Sequence, residues 1–182
     1  ERWLLIYDYK SGSKSVGGPF LTDAGLQLFC YVLAARNGKL ANTALAGALV
    51  APLYPNLQVL NKQFYLQAKP PWQRMYLYRP RGLIAQDVTE LLDPNLSQAD
   101  SPIVAMKLKK DGTLDQTRSR DVVSVADLEQ RLTVARRSVE LAAAGIAEGA
   151  VAAEPLVINR TLACSRCDFR AVCRFDRATN DI

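Results

Sequence analysis

Apolar and polar positions run through this chain in two rhythms, one of period two and one close to 3.6. Leu4 to Tyr7 form an apolar run that leads straight into Asp8, Tyr9 and Lys10. A short run of this kind predicts a buried strand. Alternation along a strand puts Asp8 and Lys10 on one face and Tyr7 and Tyr9 on the other. Ser11 to Pro19, SGSKSVGGP, is rich in small residues and predicts a mobile loop between strand and helix. The next segment reads as a helix from Asp23 to Ala35, with Thr22 or Asp23 as N-cap and Asn37-Gly38 as the stop. Leu26, Leu28, Phe29, Cys30, Val32 and Leu33 make it apolar almost all round, which predicts a buried helix. Its exceptions are Gln27 and the hydroxyl of Tyr31, one turn apart on one face.

The middle of the chain is less regular. Ala44 to Tyr54 predicts a second core strand, ended by Pro52 and Pro55. Gln63 to Gln67 and Arg74 to Tyr78 alternate enough to be strands, with Pro70-Pro71 between them. Asp87 to Leu92 is a short helix before Asp93-Pro94. Ile103 to Lys109 reads as a strand followed by a turn at Asp111-Gly112. Lys107, Lys109 and Lys110 beside that turn are expected to be solvated rather than bound to a polyanion. From Ser124 the helical rhythm is clear. Ser124 and Asp127 resemble a capping box with Asp in place of Glu. Leu128, Leu132, Ala135, Val139, Ala142 and Ile146 then mark one stripe, with Gly149 as terminator. Together these elements predict a mixed sheet flanked by helices. Leu4 to Tyr9 is its expected central strand, Asp23 to Ala35 a buried helix, and Val125 to Glu148 a long outer helix.

Composition narrows the chemistry. With 182 residues, 49% hydrophobic and 23% charged, the chain has the make-up of a globular domain. No apolar run approaches the roughly 20 residues that span a bilayer, and no leader is visible, so a cytoplasmic location without a membrane partner is expected. The chain opens at Glu1, almost inside its first strand and without an initiator methionine, as a piece of a longer protein would. A net charge of +5 suits a polyanionic partner only mildly. Histidine is absent, which removes Ser-His and Cys-His nucleophilic pairs and His-based zinc sites from this segment. Chemistry must come from carboxylates, lysine, thiolates, tyrosine and amides.

Two groupings supply such residues. Asp8 and Lys10 emerge together at the end of a strand. They read either as a strand-end ion pair or as a metal-dependent phosphodiesterase site, the carboxylate holding a hard cation and the lysine orienting water. Gln27 and Tyr31 read either as polar groups satisfied locally or as a pair facing that site; an unpartnered buried amide costs about 1–3 kcal/mol. The second grouping is at the tail, where Cys164, Cys167 and Cys173 follow a C-x2-C-x5-C spacing. Clustered thiols in a cytosolic chain argue for metal rather than disulfides. Both structural zinc and a cubane iron–sulfur cluster want four ligands. Cys30 belongs to a buried helix and reads as a core residue.

These groupings together resemble the RecB-like branch of the PD-(D/E)XK nucleases, and within it the nuclease domains of AddAB-type helicase–nucleases. The resemblance rests on IYDYKSG around Asp8 and Lys10, and on Gln27 and Tyr31 as a Q-x3-Y motif. It rests also on RPRGL (Arg79 to Leu83), LKKDG (Leu108 to Gly112) and the cysteine spacing ending in CRFD. It spans nearly the whole chain and implies a restriction-endonuclease-like α/β fold, a partial nuclease domain over 1–182 with a cysteine tail at 162–176. It further implies a Mg2+-dependent DNA exonuclease that processes double-strand ends for recombinational repair beside an AddA-like motor protein. Asp8 would be a metal ligand and Lys10 the catalytic lysine, with Gln27 and Tyr31 positioning the scissile strand or supporting the metal. Cys164, Cys167 and Cys173 would be three of four ligands to a [4Fe-4S] cluster. The family's other acids and first cluster cysteine would lie upstream of Glu1, so this chain alone is expected to be inactive and to hold a cluster poorly. Two alternatives share features: an iron–sulfur nuclease of CRISPR spacer acquisition, and a non-catalytic DNA-end-binding scaffold whose cysteines hold zinc.

Overall fold

The computed structural model describes residues 2–11, 23–53, 78–97, 100–150, 152, 157–158, 161–162, 164 and 167–175. The expected loop at Ser11 to Pro19 beyond its first residue, the cap at Thr22, the strand at Gln63 to Gln67 and all but the last residue of the strand at Arg74 to Tyr78 lie outside these residues. The chain divides into two compact units, residues 1–137 and 138–182.

The first unit is built on a four-stranded mixed sheet of order β1-β2-β3-β4. Strand β1 (Trp3–Lys10) lies parallel to β2 (Ala44–Pro52), and β3 (Arg81–Ala85) runs antiparallel to β2 and parallel to β4 (Val122–Val123). Parallel neighbours need a crossover, and helix α1 (Asp23–Arg36) lies within the one between β1 and β2. It packs Leu28, Phe29 and Val32, each without exposed surface, into the core. The helix is one-sided rather than buried all round: Tyr31 is 43% exposed and Cys30 is half-buried. Its far end is tied down where Arg36 donates from Nη1 and Nη2 to the two carboxylate oxygens of Glu129, both at 2.8 Å, and from Nη2 to the Thr43 carbonyl.

The central strand is β2, not β1. Residues 45 to 50 are buried without a break, the pattern of a strand covered on both faces. Among the described residues β1 is an edge strand of the sheet, as β4 is at the other side, and only Leu4 in it is fully buried. The sequence ALAGALVAP explains the exchange. A side chain at Gly47 would bring its Cβ to 2.4 Å from the Leu83 carbonyl, and one at Gly82 would meet the Ala48 carbonyl at 2.2 Å. Only glycine allows the two backbones to approach this closely. The β1–β2 register slips once: Leu4 pairs with Leu45 but Leu5 with Gly47, leaving Ala46 over.

Strand β3 and the two-residue β4 are elements that hydrophobic periodicity did not predict. A 3-10 turn (Gln86–Val88) then enters the short helix α2 (Thr89–Leu92), matching the expected helix at Asp87 to Leu92. Ile103 to Lys109 is not a strand. Ser101 Oγ accepts from the amides of Ile103 and Val104, and Ser119 Oγ accepts from the amide of Lys107. Side chains thus take the donors a ladder would need, and only an isolated bridge, Leu108 to Leu114, forms. The turn at Asp111-Gly112 is present, with Gly112 at φ 82°.

Helix α3 (Val125–Ala147) begins as its sequence predicts. Ser124 Oγ accepts from the Asp127 amide at 3.1 Å and donates to Asp127 Oδ2 at 2.8 Å. Its stripe is buried at Leu128, Leu132 and Ala135 only. Val139 is 36% and Ile146 is 80% exposed, so the expected continuous packing stops halfway. Within the second unit, the helix ends in a Schellman arrangement, with Gly149 at φ 72° and the Ala150 amide donating to the Gly145 carbonyl. The second unit also contains a small hairpin, β5 (Val157–Ile158) and β6 (Thr161–Leu162), and the helical turn α4 (Arg170–Cys173). No helix among the described residues is long and apolar enough to cross a membrane.

Candidate functional site

Asp8 and Lys10 sit at the carboxyl end of β1 and share a face, as period two requires. Lys10 Nζ lies 2.8 Å from Asp8 Oδ2 and donates to Gln27 Oε1 at 2.6 Å. Gln27 Nε2 donates to the Tyr31 hydroxyl at 2.8 Å. Only an amide oxygen can accept from an ammonium, so the contact with Lys10 fixes which way the Gln27 amide points. Strand and helix are therefore linked by one continuous polar chain, Asp8 to Lys10 to Gln27 to Tyr31. Of the two arrangements the sequence left open for Gln27 and Tyr31, the structure has the one in which they face Asp8 and Lys10.

The two ends of that chain differ. The Asp8 side chain is 17% exposed and Lys10 38%. Asp8 Oδ2 itself is buried, and its contact with the ammonium falls outside hydrogen-bond geometry, so no donor satisfies it among the described residues. Asp8 supplies the hard oxygen donor that a divalent cation takes as ligand, but among the described residues no group of three His, Cys, Asp or Glu gathers with it, and its Oδ2 faces the Lys10 ammonium. On the other face of β1, burial and then the neighbouring phenol of Tyr9 hold Tyr7 above the usual tyrosine range.

A second charged pair closes the same end of the sheet. Arg81 donates from Nε to Asp121 Oδ2 at 2.7 Å and from Nη2 to Oδ1 at 3.3 Å. The Gly82 amide donates to the same carboxylate, and the Ile84 amide to the Asp121 carbonyl. The hydrogen bond to Asp121 holds the Arg81 guanidinium still more firmly charged. Sequence reasoning took Arg81 only as part of the RPRGL segment and did not single out Asp121. The signal available was a basic residue placed directly before the apolar run GLIA.

All four cysteines are free, with Cys164 half-buried and Cys167 and Cys173 exposed. The Cys167 amide donates to the Cys164 carbonyl at 3.3 Å, a turn across the C-x2-C unit. Cys173 closes α4 and is not gathered with the other two: among the described residues no group of three His, Cys, Asp or Glu is close enough to hold a metal. Lys107 precedes the 108–114 turn, Lys109 and Lys110 lie within it, and none of the three is in the polar chain that begins at Asp8.

A family model described as the PD-(D/E)XK nuclease superfamily matches residues 1–174. Similar curated proteins are subunits of ATP-dependent helicase/deoxyribonucleases. That of Lysinibacillus sphaericus (strain C3-41) is 28% identical over 183 residues and 96% of this chain. That of Bacillus cereus (strain G9842) is 28% identical over 193 residues and 98% of the chain. That of Desulforudis audaxviator (strain MP104C) is 31% identical over 194 residues and 96%. The aligned stretch covers 16%, 16% and 15% of those proteins respectively.

Proposed function

The chain belongs to the PD-(D/E)XK nuclease superfamily, and from that premise we propose that it cleaves DNA phosphodiesters as the nuclease part of a helicase–nuclease acting on double-strand ends. The observation that carries this reading is the continuous chain from Asp8 through Lys10 and Gln27 to Tyr31. The relatives are named for helicase and deoxyribonuclease activity, which supports this reading over the CRISPR nuclease and the scaffold.

Asp8 would hold the catalytic divalent cation, Mg2+ in this reading, through its carboxylate. When bound, a divalent cation polarises the phosphate and lowers the pKa of water. Lys10 contributes a cationic donor next to that carboxylate, set to orient the attacking water and to offset charge developing on the phosphate oxygens. Gln27 accepts from the lysine and keeps the amine aimed, so little reorganisation is needed when substrate arrives. Tyr31, partly exposed and fixed through Gln27, presents a hydroxyl and a ring to the DNA strand. In the reaction a P–O bond forms from water, an ester P–O bond breaks, and the leaving oxygen takes up the proton.

Cys164, Cys167 and Cys173 form the second half of the reading. As thiolates they would be three of the four ligands of an iron–sulfur cluster, a cross-link that would require Cys173 to be drawn together with Cys164 and Cys167. The partner is a motor protein of AddA type and the location cytoplasmic, where reduced thiols persist.

The test uses the full-length protein with its motor partner and magnesium. Asp8→Ala and Lys10→Ala should each abolish cleavage of linear DNA while ATP hydrolysis and unwinding continue. Undiminished cleavage by either variant overturns the assignment.

A further inference from the structure

The register of the sheet brings a second cation to the face that carries Asp8. Asp8 pairs with Val50 across the parallel β1–β2 ladder, and Val50 pairs with Arg81 across the antiparallel β2–β3 ladder. Directly paired residues point to the same face, so Asp8, Val50 and Arg81 form one row across three strands. Two strand spacings separate its ends, roughly 10 Å. The row lies at one end of the sheet, where β1 and β2 finish and β3 begins.

We infer that Arg81 is a positioning residue for the DNA backbone, gripping a phosphate within a few nucleotides of the one attacked at Asp8. This inference rests on the nuclease reading above. Three observations carry it. The Arg81 side chain is 50% exposed although its strand is otherwise buried. Two of its donors, Nε and Nη2, are committed to Asp121, which holds the planar fork still; Nη1 carries none of those bonds. A guanidinium has five donors in a fixed fork that matches phosphate oxygens, so a clamped arginine can hold an acid on one edge and a phosphate on the other. Asp121 in turn is fixed by Gly82 and by the Ile84 amide. The spacing suits the substrate. At 3.4 Å of helix axis per nucleotide, roughly 10 Å covers at most about three nucleotides of one strand, so the two ends of the row meet phosphates within a few nucleotides.

The experiment measures DNA binding by the full-length protein against salt, without divalent metal, and steady-state cleavage with magnesium. Arg81→Gln should lower the slope of log affinity against log salt by about 0.7–0.9, one phosphate contact, and raise KM several-fold with little change in kcat. Arg81→Lys should restore the slope. Asp121→Asn, which keeps an acceptor for Arg81 and removes the negative charge beside it, should tighten binding several-fold at low salt. An unchanged slope and KM for Arg81→Gln would overturn the inference even where its melting temperature falls, because a purely structural ion pair moves only the latter. If Arg81→Gln does not fold, unaltered binding by Asp121→Asn overturns it instead. Asp8→Ala separates the two readings: cleavage that survives in it sinks the nuclease assignment, whereas cleavage lost with Arg81→Gln behaving as wild type sinks the Arg81 assignment alone.

Discussion

Lys10 Nζ donates to Gln27 Oε1 at 2.6 Å across 17 positions of sequence, tying the end of a strand to the middle of a helix. The bond makes Gln27 the residue that aims the lysine. Gln27→Ala should therefore slow cleavage by roughly 10–100-fold, the usual cost of losing a group that orients a catalytic side chain. Tyr31→Phe should cost less, since Gln27 keeps its bond to Lys10. The kcat of the full-length complex on linear DNA checks both, and equal effects of the two variants would contradict the order of the chain.

Arg36 and Glu129 make the corresponding structural tie, two bonds of 2.8 Å between α1 and α3. The Arg36 side chain is only 16% exposed, so Glu129→Ala strands a largely buried cation whose Nε already lacks a partner among the described residues. Glu129 is 41% exposed, and solvent screens part of the pair. A loss of about 1–2 kcal/mol is expected, read as a lower urea midpoint.

Gly82→Ala should be far more damaging than its one methyl suggests. The new Cβ would stand 2.2 Å from the Ala48 carbonyl, and backbone on the central strand cannot move aside cheaply. Destabilisation of at least about 1–3 kcal/mol is expected, measured by thermal unfolding. A neutral result would mean that β2 and β3 can separate.

The stripe of α3 should divide in two. Leu132 is buried and its change to Ala should cost about 2–5 kcal/mol. Ile146 is 80% exposed, and Ile146→Ser should stay within about 0.5 kcal/mol of the parent. Comparable losses at both positions would show that the second half of the helix is covered.

Asp115 gives a pH dependence. Its carboxylate accepts from the Thr117 hydroxyl at 2.6 Å and from the Thr117 amide at 3.0 Å, and these bonds, the hydroxyl first, hold it below the usual carboxylate range. A lowered folded pKa means that the turn's stabilisation is complete above the unfolded value, about 3.9, and is lost as acid protonates the group below it. The Thr117 amide resonance should hold steady from neutrality to about pH 4 and shift below that, as followed by NMR; a shift centred above pH 5 would contradict the turn.

Legibility in the sequence followed how local each signal was. The capping of α3 by Ser124 and Asp127, the stop at Gly149 and the short helix before Asp93-Pro94 depend on neighbours in the chain and were readable. So was the common face of Asp8 and Lys10, since alternation is a property of one strand. The edge position of β1 depends on which strand pairs on both sides, and nothing within LLIYDYK records that. Ile103 to Lys109 has strand-like alternation, but Ser101 and Ser119 take its amides, one of them from twelve residues away. Arg81 joins the site through two ladders, a relation that no window of sequence contains.

The unpaired Ala46 decides which residues are neighbours at the far end of the sheet. Strand pairing has a parity, and one surplus residue reverses it for everything downstream. Were the pairing of Leu4 with Leu45 carried on without that surplus, Asp8 would stand opposite Leu49 and in line with Gly82. The row would then carry no second charge. Removing one residue of β1 between Leu5 and Asp8 would reach the same state, although no charged group is touched. Removing Ala46 itself would do the opposite, straightening the ladder while Asp8 stays opposite Val50. Two deletions of one residue each, on facing strands, thus have contrary effects on the charged row, which point substitutions along the strands cannot imitate.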